Sequence, residues 1–335
     1  MTHGKVWPAH PKPLQDELLS SWIVRIAQAN VIKLQTLSRM LFGENLSPWM
    51  RDIDRTPPPW LLNTFCRYTG TNRQTVGRAT LETYKNRLFA NNRVSGHQQW
   101  ILTLSQAGTN RYAYGQQYCP VCLAEDSVPY FRKQWRIAVF TYCPIHQVEL
   151  HDACPECKKP VVYYRVDFGR DIKDALPIYA CHACGYDLRE SELRSVYFPS
   201  GELQRIFNKL SVSLIDAKQG GKRFDLGFFD VLHQICRVMG TRQNHGMLLK
   251  YVSDRMLWVK KISIPTGWIT IEERRREERH VWMMCALWLV VDLKNRLYQA
   301  WLDKAVRYNL LVKDFEGAPI WFREEVKRMS DPRKR

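Results

Sequence analysis

The chain has 335 residues, 45% of them hydrophobic, enough for more than one core, and its length suggests roughly two or three domains. No apolar run approaches the roughly 18 residues that a membrane span needs, and Met1-Thr2-His3-Gly4-Lys5 lacks the apolar core of an export signal, so a cytoplasmic address is expected. The formal charge of +17 sits at the two ends, with 14 basic against 6 acidic residues over 1–118, 9 against 10 over 119–190, and 27 against 17 over 191–335. Basic flanks suit a polyanionic partner, because each phosphate neutralised releases a condensed counterion.

From the N-terminus, Asp16 to Ala27 reads as an amphipathic helix, with Asp16 placed to cap it and Leu19, Trp22, Ile23 and Ile26 on one face; Asn30 marks its stop. Leu34, Leu37 and Leu41 keep register on a second helix that Gly43 ends. Two short helices with a tight turn make a helix-turn-helix candidate, with Arg25 on the first helix and Lys33 and Arg39 on or near the second as nucleic-acid or partner contacts. Pro57-Pro58-Pro59 breaks the chain before a helical stretch from Trp60 to Tyr68. Residues 73–93 add Arg73, Arg78, Lys85, Arg87 and Arg93, either a phosphate-facing stripe or an ordinary solvated face; Arg73, Arg78 and Arg87 join the candidate contacts.

The centre carries four pairs at a two-residue gap: Cys119-Pro120-Val121-Cys122, Cys143-Pro144-Ile145-His146, Cys154-Pro155-Glu156-Cys157 and Cys181-His182-Ala183-Cys184. Such a gap lets one tight turn aim both side chains at an ion, and a spacer of 20 or 23 residues lets the chain return with two more ligands. The pattern favours metal over disulfides. It gives a Cys₃His and a Cys₄ set, each full, soft and tetrahedral in number, and hence two structural zinc ions that pin a core-poor middle. Sequential pairing (first with second, third with fourth) is the simpler arrangement, and a cross-braced one uses the same residues. His151 and His182 break the pattern and read as bystanders. Cys66, Cys236 and Cys285 read as core thiols. Gly185 follows the last ligand, where a positive φ is wanted.

Beyond the metal pairs the chain is again helical. Phe228, Leu232, Ile235 and Met239 keep a helical period that Gly240 stops, and Met247 to Val259 gives another helix. After a break at Pro265-Thr266-Gly267, one long helix is expected from about Ile271 through Trp301, with the charge blocks of residues 272–279 on its solvated face. The apolar run Val281 to Val291 reads as buried. Pro332-Arg333-Lys334-Arg335 reads as a mobile basic tail.

Catalytic signatures are sparse. Gly220-Gly221-Lys222 runs into Arg223 without the upstream glycine or the Ser/Thr of a phosphate-binding loop, and no zinc-protease helix motif appears. With both metal sets closed, no enzyme is expected.

Together these residues resemble the TniQ/TnsD family of transposition target-selection proteins. The N-terminal signature is Pro13 to Asn30 with Leu37 to Gly43. The central one is Tyr118-Cys119-Pro120-Val121-Cys122, Tyr130-Phe131-Arg132, Trp135-Arg136 and Cys143-Pro144-Ile145-His146 with Leu150. It closes with Cys154-Pro155-Glu156-Cys157 and Cys181 to Gly185 with Leu188. The resemblance covers roughly residues 10–190; residues 191–335 share only helical, basic character.

The resemblance implies a non-catalytic bacterial factor. TniQ members of CRISPR-associated transposons dock on a guide-RNA Cascade complex, often as a homodimer, and recruit the AAA+ ATPase that regulates transposition on target DNA. TnsD-like members bind a chromosomal attachment site directly and are usually longer, so this chain looks nearer the TniQ type. The expected fold is mainly α: a helix-turn-helix domain over 1–95, a tandem zinc-ribbon/zinc-finger module over 96–190, and a helical basic domain over 191–335.

Overall fold

The computed structural model describes residues 6–43, 52–93, 96–104, 113–215, 224–257 and 269–330. Within them the regular structure is helical, and extended segments pair only as isolated bridges. No helix among them is long and apolar enough to cross a membrane. The Gly220–Arg223 stretch, the Pro265–Gly267 break and the Pro332–Arg335 tail lie outside the described residues. The chain divides into two compact units, one of Met1–Lys85 with Asn92–Arg194 and one of Asn86–Asn91 with Ser195–Arg335.

In the first unit, α1 (Leu19–Ala29) and α2 (Leu34–Phe42) pack on each other across a turn in which Val31 takes a φ of 54°. α1 buries Leu19, Trp22, Ile23 and Ile26, as its periodicity requires. Its cap is not Asp16, which stands outside the helix at φ 58°. The Asp16 carbonyl accepts from the Lys133 amide at 2.7 Å, and its carboxylate accepts from the Gln134 amide at 3.2 Å. Asp54 caps α1 instead, accepting the Ser20 amide at 2.8 Å and the Ser20 hydroxyl at 2.6 Å. α2 is likewise capped from afar, the Leu34 amide donating to Asp167 at 2.5 Å, and Gly43 ends it at φ 70°. α3 (Pro59–Thr69) starts on the proline run with proline in its first turn and ends at Gly70, φ 58°. α4 (Arg73–Arg78) follows, capped by Asn72, whose side chain accepts from Thr75.

The middle is not core-poor. Every residue from 130 to 143 is buried, including Phe131, Trp135, Phe140 and Tyr142. This segment is the floor on which the N-terminal helices sit. Leu18 donates to the Phe131 carbonyl at 2.9 Å, Phe131 donates to Ser21 Oγ at 3.0 Å, and the Tyr130 hydroxyl donates to the Gln15 carbonyl at 2.9 Å. Arg136, fully buried, donates to Asp52 at 2.5 Å and to the Leu102 carbonyl at 3.0 Å and lies 3.5 Å from Asp54. The two halves of the family-like signature thus hold each other.

In the second unit, α6 (Gly201–Ile215), α7 (Leu226–Gly240) and α8 (Met247–Arg255) each pack against α9 (Arg276–Val291), after the short α5 (Pro120–Glu125) of the first unit. The helix read over Met247 to Val259 ends at Arg255, and Val259 lies outside the described residues. The single helix expected over 271–301 is three pieces: a 3₁₀ turn Ile271–Glu273, then α9, then α10 (Leu293–Leu302), broken at Asp292, φ −130° and ψ 58°. α11 (Tyr308–Val312) and α12 (Ile320–Lys327) close the unit against α7 and α10. The charge blocks of 272–279 are not a solvated face either. Glu272, Arg274, Arg276 and Arg279 are buried; Glu272 meets His233 at 2.9 Å, and Arg274 lies over Trp282, 3.9 Å from its centroid, while bonding Glu278 at 3.1 Å. Glu272 takes its partner from α7, which charge spacing along one helix does not reveal, whereas Arg274–Glu278 is the i,i+4 pair that spacing predicts.

Candidate metal centre

Three of the four pairs adopt one backbone form. In each, the first ligand's amide donates five residues ahead and its carbonyl accepts from the residue four ahead: Cys143 with Val148 and Gln147 (both 2.8 Å), Cys154 with Lys159 (2.9 Å) and Lys158 (3.0 Å), Cys181 with Tyr186 and Gly185 (both 2.8 Å). The residue four ahead is left-handed each time, Gln147 at φ 55°, Lys158 at 59° and Gly185 at 80°. That turn folds the two side chains to the same side. The remaining pair uses a helix instead: Cys119 is the N-cap of α5, Pro120 occupies its first turn, and Cys122 follows one turn on.

The donors converge in sequential pairs. Cys119, Cys122, Cys143 and His146 form one set and Cys154, Cys157, Cys181 and Cys184 the other, with the donor atoms of each within 4.8 Å of one another. The cross-braced arrangement is thereby excluded, and His151 and His182 belong to neither set. In the first set Cys122 and Cys143 sulfurs lie 3.7 Å apart, and His146 Nδ1 is 3.5, 3.3 and 3.5 Å from Cys119, Cys122 and Cys143. In the second, Cys154–Cys184 and Cys157–Cys181 are 3.7 and 3.6 Å. A tetrahedron with metal–sulfur arms of about 2.3 Å and metal–nitrogen arms of about 2.0 Å has edges of about 3.8 and 3.5 Å. The observed edges fit that figure.

Electrostatics agree with a cation. Hydrogen bonds from Cys119 and Cys122 hold the Cys143 thiol at about 2, and the hydrogen bond with Cys119 pushes Cys122 up. Without a cation, one sulfur keeps its negative charge only by leaving its neighbours protonated. A divalent ion lets all three shed their protons. His146 is oriented for this: its Nε2 lies 2.9 Å from Glu125 Oε2, leaving Nδ1 toward the sulfurs. Glu125 was not singled out from the sequence; its only signal is its place three residues after Cys122.

None of the basic candidates belongs to either set. Arg25 is 8% exposed and bonded to Glu17 at 2.8 Å. Lys33 is half-buried before α2, and Arg39 is exposed in its last turn; Arg73 and Arg78 are exposed on α4. Arg87, in the second unit, is half-buried and donates to the Ser213 carbonyl at 2.5 Å. Cys236 and Cys285 are core thiols as read, whereas Cys66 is only half-buried.

A search of curated proteins by sequence returns no match. A family model does match: TniQ, over residues 8–150. The matched span takes in the α1–α4 helices, the buried 130–143 floor and the whole first donor set, and it stops just before the second. Over residues 8–150 the chain is therefore similar to the TniQ family.

Proposed function

We propose that the protein is a zinc-stabilised, non-catalytic adaptor for target selection in transposition. The TniQ domain gives the transposition-related, target-selection role itself. In this reading the protein acts in the bacterial cytoplasm, as a homodimer, docks on a guide-RNA Cascade complex and recruits the AAA+ transposition regulator to target DNA. The observation that carries the reading is the TniQ match over the first of two four-donor sets, neither of which gains a fifth donor among the described residues. A full tetrahedral set of thiolates and imidazole suits zinc and leaves no position for a reactive water, which supports a scaffold over a chemical step. Lys33, Arg39, Arg73, Arg78 and Arg87 remain the proposed nucleic-acid or partner contacts.

The test is reconstituted integration with Cascade, guide RNA and the ATPase supplied or withheld one at a time. Integration that tracks the guide and needs this protein supports the reading. Guide-independent insertion beside a fixed sequence, with a footprint made by the protein alone, would replace it by a TnsD-like attachment-site binder.

A further inference from the structure

From Arg55 to Leu81 the chain has four arginines and no Asp or Glu. In a protein that is 25% charged, a carboxylate-free stretch of that length is a local excess of positive charge that nothing in the segment offsets. The structure shows where it goes. α3 buries Leu61, Leu62, Phe65 and Thr69 and turns Asn63 and Arg67, four apart, to solvent. α4 buries Val76 and exposes Arg73 and the four-apart pair Gln74 and Arg78. Several arginines elsewhere in the same unit are consumed by carboxylates, Arg25 on Glu17, Arg132 on Asp126 and Arg136 on Asp52. Arg67, Arg73 and Arg78 have no carboxylate partner among the described residues.

The support beneath them is rigid. Lys12 Nζ clamps the α3–α4 turn, donating to the Thr69 carbonyl at 2.6 Å and to the Gly70 carbonyl and Thr71 Oγ1 at 3.2 Å each, and it brings a further positive charge. Trp7 stacks on Tyr68 at 5.2 Å, and the Leu19 amide at the start of α1 bonds the Ala79 carbonyl at 2.8 Å. Side chains on such a platform lose less freedom on binding than side chains on a loop.

We infer that the outer face of α3–α4 docks on the phosphate backbone of duplex DNA, with Arg67, Arg73 and Arg78 as the phosphate contacts. The inference names the DNA-facing surface of the target-selection role and rests on that reading. Unpaired guanidiniums gain most from a dense row of phosphates, and the Asn63 and Gln74 amides donate to the same oxygens. α4 has six residues, too few to lie along a groove and read many bases, so the contact positions the protein and carries little sequence information. The neighbouring α1–α2 pair is a poorer fit, since its outer surface offers one unpaired arginine, Arg39, beside the apolar Val31 and Met40.

The test uses the full chain, metal-loaded, and a labelled random-sequence duplex in a salt titration. The triple variant R67Q/R73Q/R78Q is expected to bind roughly tenfold or more weakly at about 100 mM salt and to flatten the log–log salt slope by about 2 to 3. R67K/R73K/R78K is expected to restore both, and R205Q, at an exposed arginine of α6 outside the proposed contacts, to leave affinity and slope as in wild type. Equal metal content and thermal midpoints across the variants confirm that folding is untouched. The inference is overturned if wild type does not bind the duplex, if R67Q/R73Q/R78Q binds as wild type does, if R205Q loses as much as the triple variant, or if the triple variant loses an RNA duplex or an acidic protein while keeping DNA. Guided integration that persists with wild-type protein through any of these results leaves the adaptor reading standing and removes only this surface.

Discussion

Cys143 and Cys157 stand for the two metal sets at the scale of single residues. Cys143 is fully buried, whereas Cys157 is only partly so. Structural zinc contributes folding free energy of about 10 kcal/mol or more, so Cys143→Ser and Cys157→Ser are each expected to cost one equivalent of metal and local folding. Elemental analysis with solubility as the companion readout checks this; full metal content in soluble, folded C143S or C157S would count against the assignment. Glu125 makes a subtler case. It is 66% exposed on its side chain, so its bond to His146 is screened, and Glu125→Ala is expected to weaken the first site by about tenfold while sparing the second. Competition with a coloured chelator resolves the two sites. The two donor sets were legible in the sequence because a two-residue gap repeated four times has few other physical meanings. Glu125 was not, because nothing in the chain order says which carboxylate a histidine's far nitrogen will meet.

Among the helices, α1 shows what local sequence hides. Its own flanks supply no cap, and Asp54 reaches it from 34 residues away. Burial, with the Asp52 charge beside it, pushes the Asp54 carboxyl up to about 6 against the pull of Arg136. The folded state therefore holds this proton more tightly than the unfolded one, whose carboxyl titrates near 3.8. This group's contribution to stability is greatest below about pH 4 and falls as pH rises through about 6, opposite in sign to a salt-bridged carboxylate. Asp54→Asn keeps an acceptor for Ser20 and removes the titration. Denaturant unfolding of wild type and D54N between pH 4 and 7 should show wild type losing stability relative to D54N as pH rises; parallel curves would refute it. The same distance explains other gaps. Helix ends marked by proline or glycine (α2, α3) were readable, while the break at Asp292 carries no such residue, and Gln147 and Lys158 take left-handed backbone that their side chains do not announce.

Across the whole molecule, donor sets and apolar burial are unevenly shared, and that unevenness predicts how the chain comes apart. The first donor set sits against the fully buried 130–143 floor. The second is held mainly by turns: Cys157 is half-buried, Cys184 is exposed, and few large side chains between 154 and 190 are fully buried. The second unit contains neither set and has its own core along α9, with Trp282, Met283, Met284 and Leu287 buried. A strong chelator is therefore expected to act in order. Amides over 154–190 should lose hydrogen-exchange protection first, because removing the ion there removes most of what orders the backbone. The knuckle at Cys143–His146 should follow, with the floor itself retaining part of its protection through Phe131, Trp135 and Phe140. α7 and α9 should be unchanged throughout, since no ligand lies in their unit. Exchange mass spectrometry across a chelator titration reads all three segments at once. Simultaneous loss in both units would mean that the metal sets hold the entire chain together, and protection over 154–190 that survives complete metal removal would mean that the second set contributes nothing to its own fold.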